Sequence, residues 1–256
     1  MESKPYVGIT GPVSSNEVYA ICNEFSDAGF NMETPHIPML GYLVSYKTLN
    51  CQAGNRRYPL FGMLPDLINE ARDVMTMIHY NSSVDGLANQ VEQVFDSIYD
   101  NCKALQLNIP WPDVSEVRKI KEHFPEMQIV FQASGKVMKD KTPAELKERI
   151  AEYGDTISYV LVDPSGGRGQ PFDIGHSVEL YEELKELPLT IGMAGGFNEN
   201  NTANRLRELV RTIGHDNFCI DVEGGLRDKL SDAYGDDLLN LEKVTHYLQA
   251  ASLVIK

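Results

Sequence analysis

The chain has 256 residues, of which 42% are hydrophobic and 23% charged, and its formal net charge is −14 with a pI near 4.8. This composition is typical of a globular protein and excludes a disordered or fibrous chain. So acidic a chain lacks the basic surface that binding to a nucleic-acid backbone requires. No apolar run approaches the roughly 18 residues that a membrane-spanning helix needs. We therefore expect a cytoplasmic protein with no nucleic-acid or membrane partner.

The four cysteines, Cys22, Cys51, Cys102 and Cys219, are scattered along the chain and form no Cys-x-x-Cys pair. This spacing indicates neither a zinc site nor a disulfide framework. We expect free thiols, and the sequence predicts no metal and no cofactor.

Short apolar stretches alternate along the chain with segments of helical periodicity. Ser14 or Ser15 is a plausible N-cap of the first helix, and Pro143 lies in the first turn of a later one. Strands are predicted at 6–10, 39–46, 74–80, 104–109, 128–134, 156–163, 189–196 and 218–225. Helices are predicted after them at 17–25, 60–72, 86–100, 113–124, 142–154, 177–187, 198–214 and 241–252.

Eight strand–helix pairs predict a closed (β/α)8 barrel, a TIM barrel, because each crossover is right-handed and the helices must cover the outer face of the sheet. A doubly wound open sheet is the alternative. The chain has no Gly-x-Gly-x-x-Gly motif opening its first helix, and its glycine-rich turns instead follow strands six, seven and eight, which favours the barrel. No linker divides the chain, so we expect a single domain over residues 1–256.

The sixth strand ends in an aspartate, Asp163, followed by a loop with three glycines. A buried parallel strand would deliver this carboxylate to the end of the sheet, where a loop can close over a ligand. The alternative is that Asp163 only caps a turn completed by Pro164 and Ser165.

Double glycines follow strands seven and eight. Glycine lets backbone N–H groups approach an anion closely, and barrels commonly bind phosphate with the loops after these two strands. We therefore predict a phosphorylated small-molecule substrate. The predicted phosphate-binding residues are Gly167, Gly169, Gly195, Gly196, Gly224 and Gly225.

Glu223 conflicts with this phosphate site, because an ionised carboxylate near a phosphate costs energy unless a cation offsets it. Strand alternation places Cys219, Asp221 and Glu223 on the same face. Arg168, Arg227 or a bound cation would supply that offset; without it, either Glu223 points outward or the ligand is unusual.

Taken together, these motifs resemble phosphoribosylanthranilate isomerase, a family of the ribulose-phosphate-binding barrels that acts in tryptophan biosynthesis. The family's first strand ends in Cys-Gly-Ile-Thr, its sixth in Leu-Leu-Asp before Gly-Gly-Thr-Gly, its seventh in Ala-Gly-Gly and its eighth in Asp-Val-Ser-Ser-Gly. The corresponding residues here are 7–10 for the first strand and 162–163 with 166–169 for the sixth. They are 194–196 for the seventh strand and 221–225 for the eighth.

The resemblance implies an Amadori rearrangement, in which a ribosylamine 5-phosphate opens its ring and becomes a ketone. It assigns Asp163 as the general acid that protonates the ring oxygen. It also suggests Arg56 or Arg57, in the loop after strand two, as the residue that holds the substrate's carboxylate.

The chain departs from the family at the general base, because Val7 stands where the family has its cysteine. Asp221, Glu223 and Cys51 are the candidates for a replacement. Asp221 matches a family position and is the preferred one, whereas Cys51 is more simply read as an incidental loop thiol.

Two function classes remain open on the sequence. One is an isomerase of an aminated ribose 5-phosphate with a displaced base. The other is a catalytically silent barrel that binds a phosphorylated metabolite or a protein partner. A Schiff-base aldolase would require a lysine within a strand, and Lys47, Lys103 and Lys136 all fall at strand edges. A metal-dependent epimerase would require more strand histidines than His79 alone.

Overall fold

The computed structural model describes residues 3–52, 54–164 and 174–255. Its eight parallel strands close a barrel in chain order, and the last strand pairs back with the first. The strands are β1 Tyr6–Thr10, β2 Ile37–Ser45, β3 Met75–Asn81, β4 Ala104–Leu107, β5 Gln128–Ser134, β6 Tyr159–Asp163, β7 Thr190–Ala194 and β8 Cys219–Val222. The predicted (β/α)8 barrel is confirmed, and the doubly wound sheet is excluded.

The described helices follow the strands and cover the outside of the barrel. The capping box that Ser14 forms with Glu17 confirms the predicted start of the first helix, and Pro143 occupies the first turn of its helix as expected. The helices are α1 Ser15–Asp27, α2 Tyr46–Leu49, α3 Leu64–Glu70, α4 Leu87–Phe95, α5 Val114–His123, α6 Gly135–Met138, α7 Pro143–Ala151, α8 Ile174–Leu184, α9 Thr202–Ile213 and α10 Leu241–Ser252. None of these helices has the length and apolar character needed to cross a bilayer.

Alternate residues of each strand face two separate apolar layers, because successive side chains of a strand point to opposite faces. Tyr6, Met39 and Tyr159 belong to the cluster inside the barrel. Val7 and Ile9 belong to the larger cluster that includes the buried faces of the helices. This alternation decides which residues can reach a site inside the barrel.

The barrel mouth, the end at which the C-terminal residues of the strands lie, is polar inside. The inward-facing side chains at this end are polar, whereas those deeper in the barrel are apolar. The polar side chains are nevertheless almost fully buried. They are Thr10, His79, Gln106, Gln132, Asp163 and Asp221. Buried polar side chains are costly without partners, so their position at this end marks it as the candidate site.

The eighth strand is shorter than predicted, and the segment after it forms a hairpin that the sequence pattern did not indicate. β8 ends at Val222 because Glu223 leaves the extended conformation, with φ −127° and ψ −76°. A 3₁₀ turn over Gly224–Leu226 leads into β9 Arg227–Lys229, which pairs antiparallel with β10 Asp237–Leu239. This hairpin stands beside the barrel mouth.

Side chains pack tightly around Gly41 of β2 at the barrel mouth. A Cβ atom at this position would lie 2.5 Å from Thr10 Oγ1 and 2.6 Å from His79 Nε2. We expect Gly41→Ala to lower the free energy of unfolding by about 1–3 kcal/mol, because these groups would have to move. Urea denaturation measures the change.

The matched control is Gly62→Ala, since a Cβ there meets nothing within 4 Å. This variant should stay within about 0.5 kcal/mol of the wild type. Equal stability losses in the two variants would show that Gly41 is not placed as described.

Candidate active site

A cavity of about 480 Å³ opens at the barrel mouth. Its described lining comes from β2 to β8 and from the loops that follow them. It includes Leu43, Tyr58, His79, Asn81, Gln106, Asn108, Gln132, Ser134, Lys136, Asp163, Gly195, Gly196, Asp221, Glu223, Gly224, Gly225 and Tyr234. Both aspartates that the sequence analysis selected therefore face the same space.

Asp221 is the most perturbed carboxyl group of the cavity. Burial raises its pKa to about 7, and the charges of Glu223 and Asp163 act in the same direction. Thr10 opposes this shift, because its hydroxyl donates to the Asp221 carboxylate at 3.1 Å. A carboxyl group with a pKa near neutrality can both accept and release a proton at physiological pH.

Asp163 ends β6 with its side chain turned into the barrel. Gln132 of β5 donates a hydrogen bond of 2.7 Å from its Nε2 atom to the Asp163 carboxyl group. Only 3% of Asp163 is exposed, and the residue lines the cavity. The carboxyl group thus belongs to the cavity and does more than complete the turn after the strand.

His79 of β3 contributes a neutral imidazole ring. Burial lowers its pKa to about 3, so it carries no charge near pH 7. Its Nε2 atom lies 3.5 Å from the hydroxyl group of Thr10, at the limit of a hydrogen bond. Thr10 therefore connects the imidazole ring to the Asp221 carboxyl group.

Thr10 and Gln132 are site residues that the sequence analysis missed. The sequence pattern gave neither of them a role in the site. Thr10 of β1 donates a hydrogen bond to Asp221 of β8, and Gln132 of β5 donates one to Asp163 of β6. Counting alternate positions back from the strand ends would have placed both at the barrel mouth.

Two positions discussed in connection with the general base, Val7 and Cys51, lie outside the cavity. Val7 packs in the layer between the sheet and the helices, so no side chain at this position would reach the interior of the barrel. Cys51 is exposed on the loop after β2 and does not line the cavity. The base expected from the first strand is therefore absent from position 7 for a geometric as well as a chemical reason.

An ion cluster of Arg57, Glu223, Arg227 and Asp237 lies beside the cavity. Arg57 donates from Nη1 to Glu223 at 2.6 Å and from Nε to Asp237 at 3.0 Å. Arg227 donates to the same Asp237 at 3.3 Å and to the carbonyl oxygen of Gly11 at 2.5 Å. The four side chains are 2–12% exposed.

The ion cluster resolves the conflict that Glu223 posed in the sequence. Burial raises the pKa of the Glu223 carboxyl group, and the adjacent Arg57 guanidinium opposes that shift. Because the two groups are only 2.6 Å apart, we assign Glu223 as the ionised partner of Arg57. Arg57 is the main cation that compensates the charge of Glu223. The family resemblance had instead suggested Arg56 or Arg57 as the residue that holds a substrate carboxylate.

The prediction that Arg56 or Arg57 holds a substrate carboxylate is corrected by this geometry. Arg57 is bound within the ion cluster, and Arg56 pairs with Asp236 on the protein surface at 2.8 Å. Neither arginine lines the cavity.

The glycine corner, formed by Gly195, Gly196, Gly224 and Gly225, lies along one end of the cavity. Gly195 and Gly196 have φ values of 88° and 72°, which side chains other than glycine rarely tolerate. A side chain at Gly225 would collide with the carbonyl oxygen of Phe197. The remaining predicted phosphate-binding residues, Gly167 and Gly169, lie outside the described residues.

No three His, Cys, Asp or Glu side chains converge as metal ligands in the part of the chain that the structure describes. The two aspartates of the described lining are supported by amide and hydroxyl partners, Gln132 for Asp163 and Thr10 for Asp221.

Replacing Arg57 should test the energetic importance of the ion cluster. We expect Arg57→Ala to lower the free energy of unfolding by about 3–5 kcal/mol, because it leaves two buried carboxylates without their shared partner. Arg56→Ala is the matched control, since its ion pair is exposed and should be worth at most about 1 kcal/mol.

Chemical denaturation of both arginine variants measures these effects. Adding Glu223→Gln to Arg57→Ala should recover part of the lost stability. Similar losses for Arg56 and Arg57, or no recovery in the double variant, would contradict the assignment.

Asp221 should make the stability of the fold depend on pH. Since Asp221 holds its proton more tightly in the folded chain, its contribution to stability is fully present below pH about 4 and is lost as the pH rises through about 7. We expect Asp221→Asn to be about 2–4 kcal/mol more stable than the wild type at pH 8, with little difference at pH 4.

Denaturation curves at both pH values check this difference, and Asp232→Asn at an exposed position serves as the control. A difference between wild type and Asp221→Asn that does not change with pH would refute the raised pKa.

Three of the solved structures that resemble this chain are metabolic enzymes. A truncated 3-deoxy-D-arabino-heptulosonate 7-phosphate synthase from Thermotoga maritima superposes with a TM-score of 0.59 and 13% identity, over 99% of this chain and 88% of that chain. The alpha subunit of tryptophan synthase from Legionella pneumophila has a TM-score of 0.58 and 12% identity, over 99% and 92% of the two chains. Orotidine 5'-monophosphate decarboxylase from Methanocaldococcus jannaschii has a TM-score of 0.51 and 8% identity, over 97% and 98%.

No protein-family model and no curated protein sequence matches the chain. At identities of 8–13% the structural likeness shows a shared TIM-barrel fold. The function must therefore be argued from the site.

Proposed function

We propose that this barrel is an isomerase that converts an aminated ribose 5-phosphate into the corresponding 1-amino-1-deoxyketose. Asp163 would act as the general acid and Asp221 as the general base. The observation that carries the proposal is that Asp221, with a pKa of about 7, shares one cavity with Asp163. Pairs of carboxyl groups held in different environments are a common way to divide acid and base roles.

The first step is ring opening. In the reactive state the two aspartates hold one proton between them and it resides on Asp163, which donates it to the ring oxygen as the bond between C1 and that oxygen breaks. The nitrogen lone pair forms a double bond to C1, which leaves a protonated imine and an Asp163 carboxylate. The hydrogen bond from Gln132 keeps the carboxyl group directed into the cavity throughout.

The second step is proton abstraction. The Asp221 carboxylate removes the proton from C2, and the electron pair moves into the bond between C1 and C2 as the imine becomes an amine. The resulting enol accepts a proton at C1 from the protonated Asp221 and transfers its hydroxyl proton to the Asp163 carboxylate, which gives the ketone and restores both aspartates. Asp221 suits this step because its raised pKa makes it a stronger base than an ordinary carboxylate while part of it is ionised at neutral pH.

The glycine corner is the proposed binding site for the substrate phosphate. Its backbone approaches the cavity without intervening side chains, as an anion site requires. Glu223 lies nearby, but its charge is offset within the ion cluster. The phosphate would therefore not meet an uncompensated carboxylate from that residue.

A second candidate is a barrel that binds a phosphorylated metabolite without converting it. One observation favours it, namely that position 7 faces the helices and cannot supply the first-strand base that the family resemblance implies. The two candidates differ in turnover and not in binding.

The proposal predicts isomerisation of the glycosylamine formed from aniline and ribose 5-phosphate. Formation of the ketone carbon at C2 can be followed by carbon NMR at high protein concentration. We expect Asp163→Asn and Asp221→Asn each to reduce the rate at least 100-fold, as the loss of an acid or base group typically does. The dependence of kcat/KM on pH should show an inflection near pH 7, where Asp221 titrates, and Asp221→Asn should remove that inflection.

The control for these variants is Asp232→Asn, which changes the same functional group at an exposed position. Ligand binding without any ketone formation would support the second candidate. Activity that survives both aspartate substitutions would rule out the proposed roles.

A further inference from the structure

The described lining of the cavity has two chemically different halves. Carboxyl groups and glycines come from β6, β7 and β8. The opposite side, from β3, β4 and β5, presents side-chain amides that we call the amide wall, formed by Asn81, Gln106, Asn108 and Gln132. If the sugar phosphate occupies the first half, the substituent on its amino group faces the amide wall.

The described residues give the amide wall no buried cation. The imidazole of His79 is uncharged near pH 7, and the Arg57 guanidinium is bound in the ion cluster outside the lining. Lys136 is the one cationic side chain in the described lining, and it is exposed, so water screens its charge. A carboxylate placed against this wall would lose its hydration without gaining a buried counter-charge.

Gln106 supplies an observation that points to a ligand. Its side chain is 1% exposed, and its Nε2 atom donates to Asn108 Oδ1 at 2.7 Å. Its Oε1 atom has no hydrogen-bond partner among the described residues. Leaving a buried acceptor unsatisfied costs about 1–3 kcal/mol, so a ligand that brings an N–H or O–H group would recover that energy. An ionised carboxylate has no such donor.

Two tyrosines and a leucine add apolar side-chain area to the same cavity. Tyr58, Tyr234 and Leu43 line it, and the guanidinium of Arg57 lies 4.7 Å from the centroid of the Tyr234 ring. Tyrosine rings provide apolar area for stacking and a hydroxyl group at the edge. A planar substituent can stack on such rings, whereas a flexible charged chain cannot.

We propose that the amino substituent of the substrate is planar and uncharged and carries a hydrogen-bond donor, such as a carboxamide, which the amide wall binds through Gln106. This inference rests on the proposed function, because it assumes that a sugar phosphate occupies the acidic half of the cavity. It differs from the family resemblance, which implies an anionic anthranilate group held by an arginine.

Two stable ligands test the inference independently of turnover. Reductive coupling of ribose 5-phosphate to 2-aminobenzamide or to anthranilate gives N-aryl ribitylamine phosphates that differ only in a carboxamide or a carboxylate. Calorimetry with the wild-type protein should show at least tenfold tighter binding of the carboxamide. Equal affinities, tighter binding of the carboxylate, or no binding of either ligand would overturn the inference.

Variants of the amide wall test which residue causes the preference for the carboxamide ligand. Gln106→Leu should reduce the ratio of the two dissociation constants to threefold or less, and Asn108→Ala provides a second test if the first variant does not fold. Gln106→Glu should weaken carboxylate binding further, whereas Gln249→Glu adds the same charge on exposed surface and should not. A tenfold preference that persists in both wall variants would show that the amide wall does not determine it.

These ligands cannot react, so failure of this inference is distinct from failure of the proposed function. A carboxamide preference without isomerisation of the aniline glycosylamine would remove the catalytic proposal and leave the binding proposal in place. Isomerisation of the aniline glycosylamine without a carboxamide preference would remove the binding proposal and leave the catalytic proposal in place.

Discussion

The barrel mouth depends on an ion cluster from which water is almost excluded. Arg57 is separated by 166 residues from Glu223 and by 180 from Asp237, yet it contacts both. These contacts fix the loop after β2, the end of β8 and the β9–β10 hairpin against one another. Such a cluster contributes little net stability compared with an apolar core, but loss of one member leaves charges buried without a partner. It therefore acts mainly as a constraint on geometry.

The same cluster sets the electrostatics of the candidate site. It offsets the charge of Glu223, which would otherwise lie uncompensated beside the glycine corner. Asp221, two residues earlier, receives a hydrogen bond from Thr10 but no arginine, and its pKa is raised to about 7. The two carboxyl groups thus lie in different electrostatic environments, because only Glu223 is paired with a guanidinium. Above about pH 7 the Asp221 carboxylate is buried without a cationic partner, which lowers the stability of the fold.

Local signals in the sequence predicted most of the fold. The apolar strands, the Ser14 cap and Pro143 each depend on neighbouring residues, and all were placed correctly or within a few positions. The placement of Asp163 and Asp221 at the barrel mouth was also predictable, because it follows from their positions near strand ends. Motif matching alone misled at Val7, since a strand's alternation determines whether a residue faces the barrel or the helices. The ion cluster was missed because its partners are distant in sequence, and Arg57 was consequently given a substrate-binding role.

The central claim is that Asp163 and Asp221 act on a sugar phosphate held at the glycine corner. The most direct test is a crystal structure with N-phenyl ribitylamine 5-phosphate, the unreactive analogue made by reductive coupling of aniline to ribose 5-phosphate. We predict the phosphate at Gly195, Gly196, Gly224 and Gly225, with an Asp221 carboxyl oxygen about 3 Å from C2. A phosphate bound elsewhere, or a C2 atom that no carboxyl group can reach, would contradict the account.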